Sequence, residues 1–87
     1  MDIKKARLSL YEMLDLCSRL EDDTLSEACS GIYNDAKAAK TTEQIIDSSR
    51  ELMVFVNEAS WEDSEFFELK EEIETIYNTL LEDYEEF

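Results

Sequence analysis

Residues 61–87 read WEDSEFFELKEEIETIYNTLLEDYEEF, with Phe66, Ile73, Leu80 and Phe87 recurring seven apart and Leu69, Ile76, Tyr77 and Tyr84 in the same arc. That spacing places one apolar stripe along an α-helix. From Trp61 to Tyr84 such a helix would be about 36 Å long. The chain as a whole has no proline and one glycine, Gly31. Hairpins need turn residues, so this composition favours helices joined by short polar caps.

The same period runs through the rest of the chain. Ile3, Leu10 and Cys17 repeat every seven residues, with Ala6, Met13 and Leu20 between them, while Leu8, Tyr11 and Leu16 lie off the stripe. A helix of that kind is expected to touch more than one neighbour. Glu21-Asp22-Asp23 should end it, and Thr24 with Glu27 reads as a capping box for a second helix. There Leu25, Ala28, Cys29, Ile32, Ala36 and Ala39 share a face. Gly31 costs about 1 kcal/mol in a helix interior relative to alanine. Close approach of a neighbouring helix, or a local break, would account for it. Thr41 or Thr42 caps a third helix, with Gln44 as the reciprocal partner of Thr41. Ile45, Leu52, Val56 and Ala59 form its stripe, widened by Ile46, Met53 and Phe55. Helices are therefore expected over about 2–20, 24–39, 42–57 and 61–85. The fold class that follows is all-α: a compact antiparallel bundle of about four helices with a long acidic C-terminal helix.

Eighty-seven residues suit one domain with a marginal core. Its 44% hydrophobic and 10% aromatic content is too apolar for a typical disordered chain, whereas a net charge of −15 opposes compaction through self-repulsion. A folded domain that weakens at low salt is the expected balance. Cys17 and Cys29 fall on apolar faces, so buried free thiols are expected; a disulfide joining the two helices is the alternative. No apolar run approaches the roughly 18 residues of a membrane span and no signal-peptide pattern is seen. A cytosolic setting, in a bacterial or a host cell, is the expectation.

Charge is unevenly placed. Residues 1–57 hold eleven acidic and seven basic groups, net −4, and residues 58–87 hold twelve acidic groups against Lys70 alone, net −11. The polar arc of the last helix carries Glu65, Glu68, Glu71, Glu72, Glu74, Glu82, Asp83, Glu85 and Glu86. Several are like-charge neighbours three or four apart, and each such pair costs about 0.2–0.5 kcal/mol. The last four also sit at the negative end of the helix. Folding gains nothing from this, and a small domain stays soluble with a net charge of about 2–8. From Glu62 to Glu86 the carboxylates average about one per 3.3 Å of helix, close to the phosphate spacing of about 3.4 Å along one nucleic-acid strand. Trp61 and Phe67 lie among these acids, and aromatics ringed by charge are common interface anchors.

Catalytic residue types are sparse. The chain has no histidine, the commonest general base and metal ligand. Neither cysteine has an evident activating partner. No calcium-loop or glycine-rich phosphate-loop pattern occurs, and Glu-x-x-Glu spacings face outward where a helical di-metal site needs inward carboxylates and histidine. No catalytic residue, metal site or cofactor is therefore assigned. With 8 basic against 23 acidic groups, direct binding to nucleic acid or to an anionic membrane is disfavoured. Lys4, Lys5 and Arg7 form a small basic cluster expected to pair with the chain's own carboxylates.

These features suggest a non-enzymatic acidic binding protein, monomeric or homodimeric, that inhibits a basic, nucleic-acid-handling protein by mimicking nucleic-acid charge. Small phage anti-CRISPR or anti-restriction inhibitors and nuclease-toxin immunity proteins work in this way. A helical adaptor or secretion-type chaperone is the alternative, with Leu8, Leu16, Ile46 and Val54 as surplus apolar surface.

Overall fold

The computed structural model describes residues 2–59 and 64–85, the side chains of 64–66 excepted. The Asp2 side chain accepts from the Lys4 amide at 3.1 Å and opens helix α1, Ile3–Cys17. A tighter turn follows, with Arg19 N donating to Leu16 O and Leu20 N to Cys17 O. It ends the α-helix three residues before the expected Leu20, while Leu20 itself stays buried.

Helix α2, Asp23–Ala38, is capped by Asp22, whose carboxylate accepts from Leu25 N at 2.9 Å. The expected box at Thr24 and Glu27 is therefore superseded. A carboxylate just ahead of the first turn satisfies a free amide and also meets the positive end of the helix dipole.

Helix α3, Thr42–Glu58, begins as anticipated. Thr41 Oγ1 accepts from Gln44 N at 3.2 Å, and Gln44 Oε1 accepts from the amides of Thr41 and Lys40. Helix α4, Ser64–Glu85, has 22 residues and is the longest of the four, about 33 Å.

Helices α1 and α2 run antiparallel. Arg7, near the start of α1, donates from Nε to Ala36 O at 2.9 Å and from a terminal guanidinium nitrogen to Ala39 O at 2.6 Å. In the middle of both helices the rings of Tyr11 and Tyr33 lie 5.2 Å apart. Moving up α1 thus means moving down α2. The basic cluster does not pair as expected: Arg7 closes the C-terminus of α2 through its free carbonyls, where a cation complements the dipole. Helix α1 packs on all three others, most extensively on α4, and α2 packs chiefly on α3. Among the described residues α2 and α4 do not meet, so α4 lies at one edge. The molecule measures 37 × 23 × 16 Å.

The core follows the stripes. Ala6, Leu10, Met13 and Cys17 from α1 meet Leu25, Ile32 and Ala36 from α2, Ile45, Ile46, Leu52 and Val56 from α3, and Ile73 and Leu80 from α4. Leu14, absent from the expected stripe, is also buried, because α1 packs on three neighbours. Ser49 is fully buried, and its hydroxyl donates to Ile45 O at 2.9 Å. Full burial of an aliphatic side chain is worth about 1.5–3 kcal/mol, so these residues carry most of the folding energy.

Gly31 departs from both readings of it. Helix α2 passes through unbroken, Gly31 is exposed, and a Cβ built there meets nothing within 4 Å. Nothing in the structure calls for glycine at this position. Ala38 is exposed as well, whereas Ala36 and the C-cap residue Ala39 are buried and Ala28 is half-buried.

Candidate functional site

The edge position of α4 determines what its surface can do. Among its described side chains Ile73 and Leu80 are fully buried, and Leu69, Ile76, Tyr77, Leu81 and Tyr84 are partly so. They hold one side of the helix on α1 and, to a smaller extent, α3. The opposite side faces solvent. Glu68, Glu71, Glu72, Glu82 and Glu85 are exposed there, and Glu74 and Asp83 are half-buried at its margins. Glu65 lies in the first turn of α4, its side chain outside the described set, and Trp61 and Glu86 fall outside the described residues.

The structure gathers these carboxylates into two groups. Glu68, Glu71, Glu72 and Glu74 form one, and Glu82, Asp83 and Glu85 form the other. Thr75–Leu81 between them carry no charge, a gap of about 12 Å from Glu74 to Glu82. The even row suggested by the average spacing is thus corrected to two patches. A 3.6-residue turn centres both patches on the same side of the helix.

The first patch has a floor. Glu68, Glu71 and Glu72 border a groove of about 540 Å³ whose other walls are Leu16 from α1 and Thr75 and Ile76 from α4. The Thr75 hydroxyl is turned back to Glu71 O at 2.9 Å, leaving its methyl group and the two aliphatic residues to line the cleft. Leu16 stood off the main stripe of α1, which was the sequence signal for this surface. Ile76 was assigned to the core, and its place on the groove wall follows only from how α1 and α4 dock. Phe67, 52% exposed, stands on the solvent side of α4.

Among the described residues no ion pair reaches these acids. Among the described residues the ion pairs are Arg19 with Asp15 at 3.8 Å and Arg50 with Asp47 at 3.7 Å, each within one helix. Neither involves α4. No group of three or more His, Cys, Asp or Glu among the described residues is placed to hold a metal ion. Outward carboxylates on a rigid helix can accept charge-assisted hydrogen bonds from guanidinium and ammonium groups, bidentate in the case of arginine.

Comparison with family models, with curated proteins and with solved structures finds no match. A functional reading therefore rests on the geometry of this surface.

The apolar residues considered as an alternative interface are divided by the structure. Leu8 and Val54 are 62% and 55% exposed, Leu16 is half-buried beside the acidic groove, and Ile46 belongs to the core. Among the described residues no helix is long and apolar enough to cross a membrane.

Proposed function

We propose that this chain is a non-enzymatic acidic binding protein whose α4 face docks into the basic groove of a nucleic-acid-handling protein and blocks it by charge mimicry. The observation that carries the reading is the set of solvent-facing α4 carboxylates that join no ion pair among the described residues, a spacing of like charges that by general rule costs a helix stability. A surface of this kind repels nucleic acid and attracts whatever binds nucleic acid. Two patches about 12 Å apart on one side of a rod are comparable with the phosphate rows bordering a major groove about 12 Å wide. The apolar floor at Leu16 and Ile76 adds a place for the aliphatic stem of a lysine or arginine whose charged end meets Glu68, Glu71 or Glu72. Inhibitors of the anti-CRISPR, anti-restriction and nuclease-immunity kinds, acting in the cytosol of a bacterial or host cell, are the functional class this suggests.

The test is competition. Basic nucleic-acid-binding proteins recovered on the immobilised chain should be released by added duplex DNA or RNA, because both occupy one groove. Retention of every partner in saturating nucleic acid would rule charge mimicry out.

A second reading draws on Leu8 and Val54, exposed on α1 and α3: a helical adaptor or chaperone that works through apolar contact or self-association. Light scattering separates the two. A stable dimer that Leu8→Lys and Val54→Lys dissociate favours the second reading, and a monomer at all concentrations favours the first.

A further inference from the structure

We propose that Cys17 and Cys29 form a reversible intramolecular disulfide on exposure to a hydroperoxide, making the seam between α1 and α2 a thiol switch. The register of the seam places them together. Arg7 reaches Ala36 and Ala39, and Tyr11 lies on Tyr33. Continuing in that antiparallel step brings Cys17, at the end of α1, opposite Cys29 in α2. The surface agrees: Cys29 lines a groove of about 680 Å³ together with Leu14, about one turn before Cys17 in α1, and Ser18, the residue that follows it. Both thiols are free, and each perturbs the other's titration, Cys17 upward and Cys29 downward.

Their roles differ by access. Cys29 is half-buried and opens on the groove, whereas Cys17 is 1% exposed beneath it. The neighbouring Cys17 favours the Cys29 thiolate, while Cys29 together with burial pushes the Cys17 thiol far up. Cys29 is therefore the attacking group and Cys17 the resolving one. In the first step the Cys29 sulfur attacks the peroxide, the O–O bond breaks, and the sulfur becomes a sulfenic acid as the alcohol or water leaves. In the second the Cys17 sulfur attacks Cys29, the S–S bond forms, the S–O bond breaks, and water departs with the Cys17 proton. The two thiols lose two hydrogens and two electrons to the peroxide, and an external dithiol returns them.

The experiment treats the reduced, folded chain with hydrogen peroxide, blocks remaining thiols with N-ethylmaleimide and weighs the intact protein. The expected result is a monomer two hydrogens lighter, with both alkylation sites lost, which dithiothreitol restores. Two alkylated thiols after peroxide, oxygen added without a crosslink, or dimers alone would each overturn the proposal. In Cys17→Ser, oxidation should stop at a dimedone-reactive Cys29, and Cys29→Ser should resist peroxide; Cys17 reacting at the parent's rate in Cys29→Ser would overturn the assigned order. Should either variant fail to fold, the parent's mass decides alone.

Discussion

Replacing Glu68, Glu71, Glu72 and Glu74 together with glutamine should stabilise the protein. Glutamate and glutamine have similar helix propensities, so the change acts through charge. Three like-charge pairs disappear within the set: Glu68–Glu71, Glu68–Glu72 and Glu71–Glu74. At about 0.2–0.5 kcal/mol each they sum to about 0.6–1.5 kcal/mol. Relief of Glu65–Glu68 adds a little, and loss of attraction between Lys70 and Glu74, four apart, removes a similar amount. None of the four lies in the first turn of α4, so the dipole at its start is not sacrificed. A net gain of about 0.5–1.5 kcal/mol should raise the thermal midpoint by about 2–10 °C. Unfolding followed by circular dichroism at low salt measures it. The gain should shrink toward zero near 1 M salt, where the screening length is only about 3 Å. An unchanged or lowered midpoint at low salt, or a gain that salt does not alter, would refute the reasoning.

Four further substitutions test the account elsewhere. Gly31→Ala, at an exposed mid-helix site with open space for a methyl group, should stabilise by about 0.5–1 kcal/mol in urea titration. Asp22→Ala should cost about 0.5–2 kcal/mol while Thr24→Ala costs much less, since the Asp22 carboxylate holds the Leu25 amide; equal losses in the same titration would restore the capping box at Thr24. Arg7→Ala should cost about 1.5–3 kcal/mol through its two charged hydrogen bonds to the end of α2. Amide exchange should then quicken first around residues 36–39.

The fold was legible because periodicity and the shortage of turn residues agree along the whole chain. Ile73 and Leu80 were placed in the core from spacing alone, and the reciprocal pair of Thr41 and Gln44 from chemistry alone. The failures share a cause. Asp22 and Thr24 can both cap a helix, and choosing between them depends on where the preceding turn delivers the chain. Gly31 invites a packing explanation that only a neighbour's position can supply or withhold. Arg7 finds carbonyls rather than carboxylates because of the register of α1 on α2. Of the candidate site, the exposure of Glu68, Glu71, Glu72, Glu82, Glu85 and Phe67 followed from the helical wheel. Their division into two patches was present in the spacing but hidden by averaging over the helix. The groove beside Leu16 needed two helices to be docked, which no single-helix pattern contains.

The central claim is that the acidic face of α4 exists to meet a basic partner. The most direct measurement is the affinity of the parent and of the four-glutamine variant for one basic partner recovered on the parent chain, from about 50 to about 500 mM salt, a range across which screening changes strongly. The account predicts that parent affinity falls steeply as salt rises and that the variant binds more weakly with a shallower dependence. Equal affinities and equal salt slopes for the two proteins would contradict it.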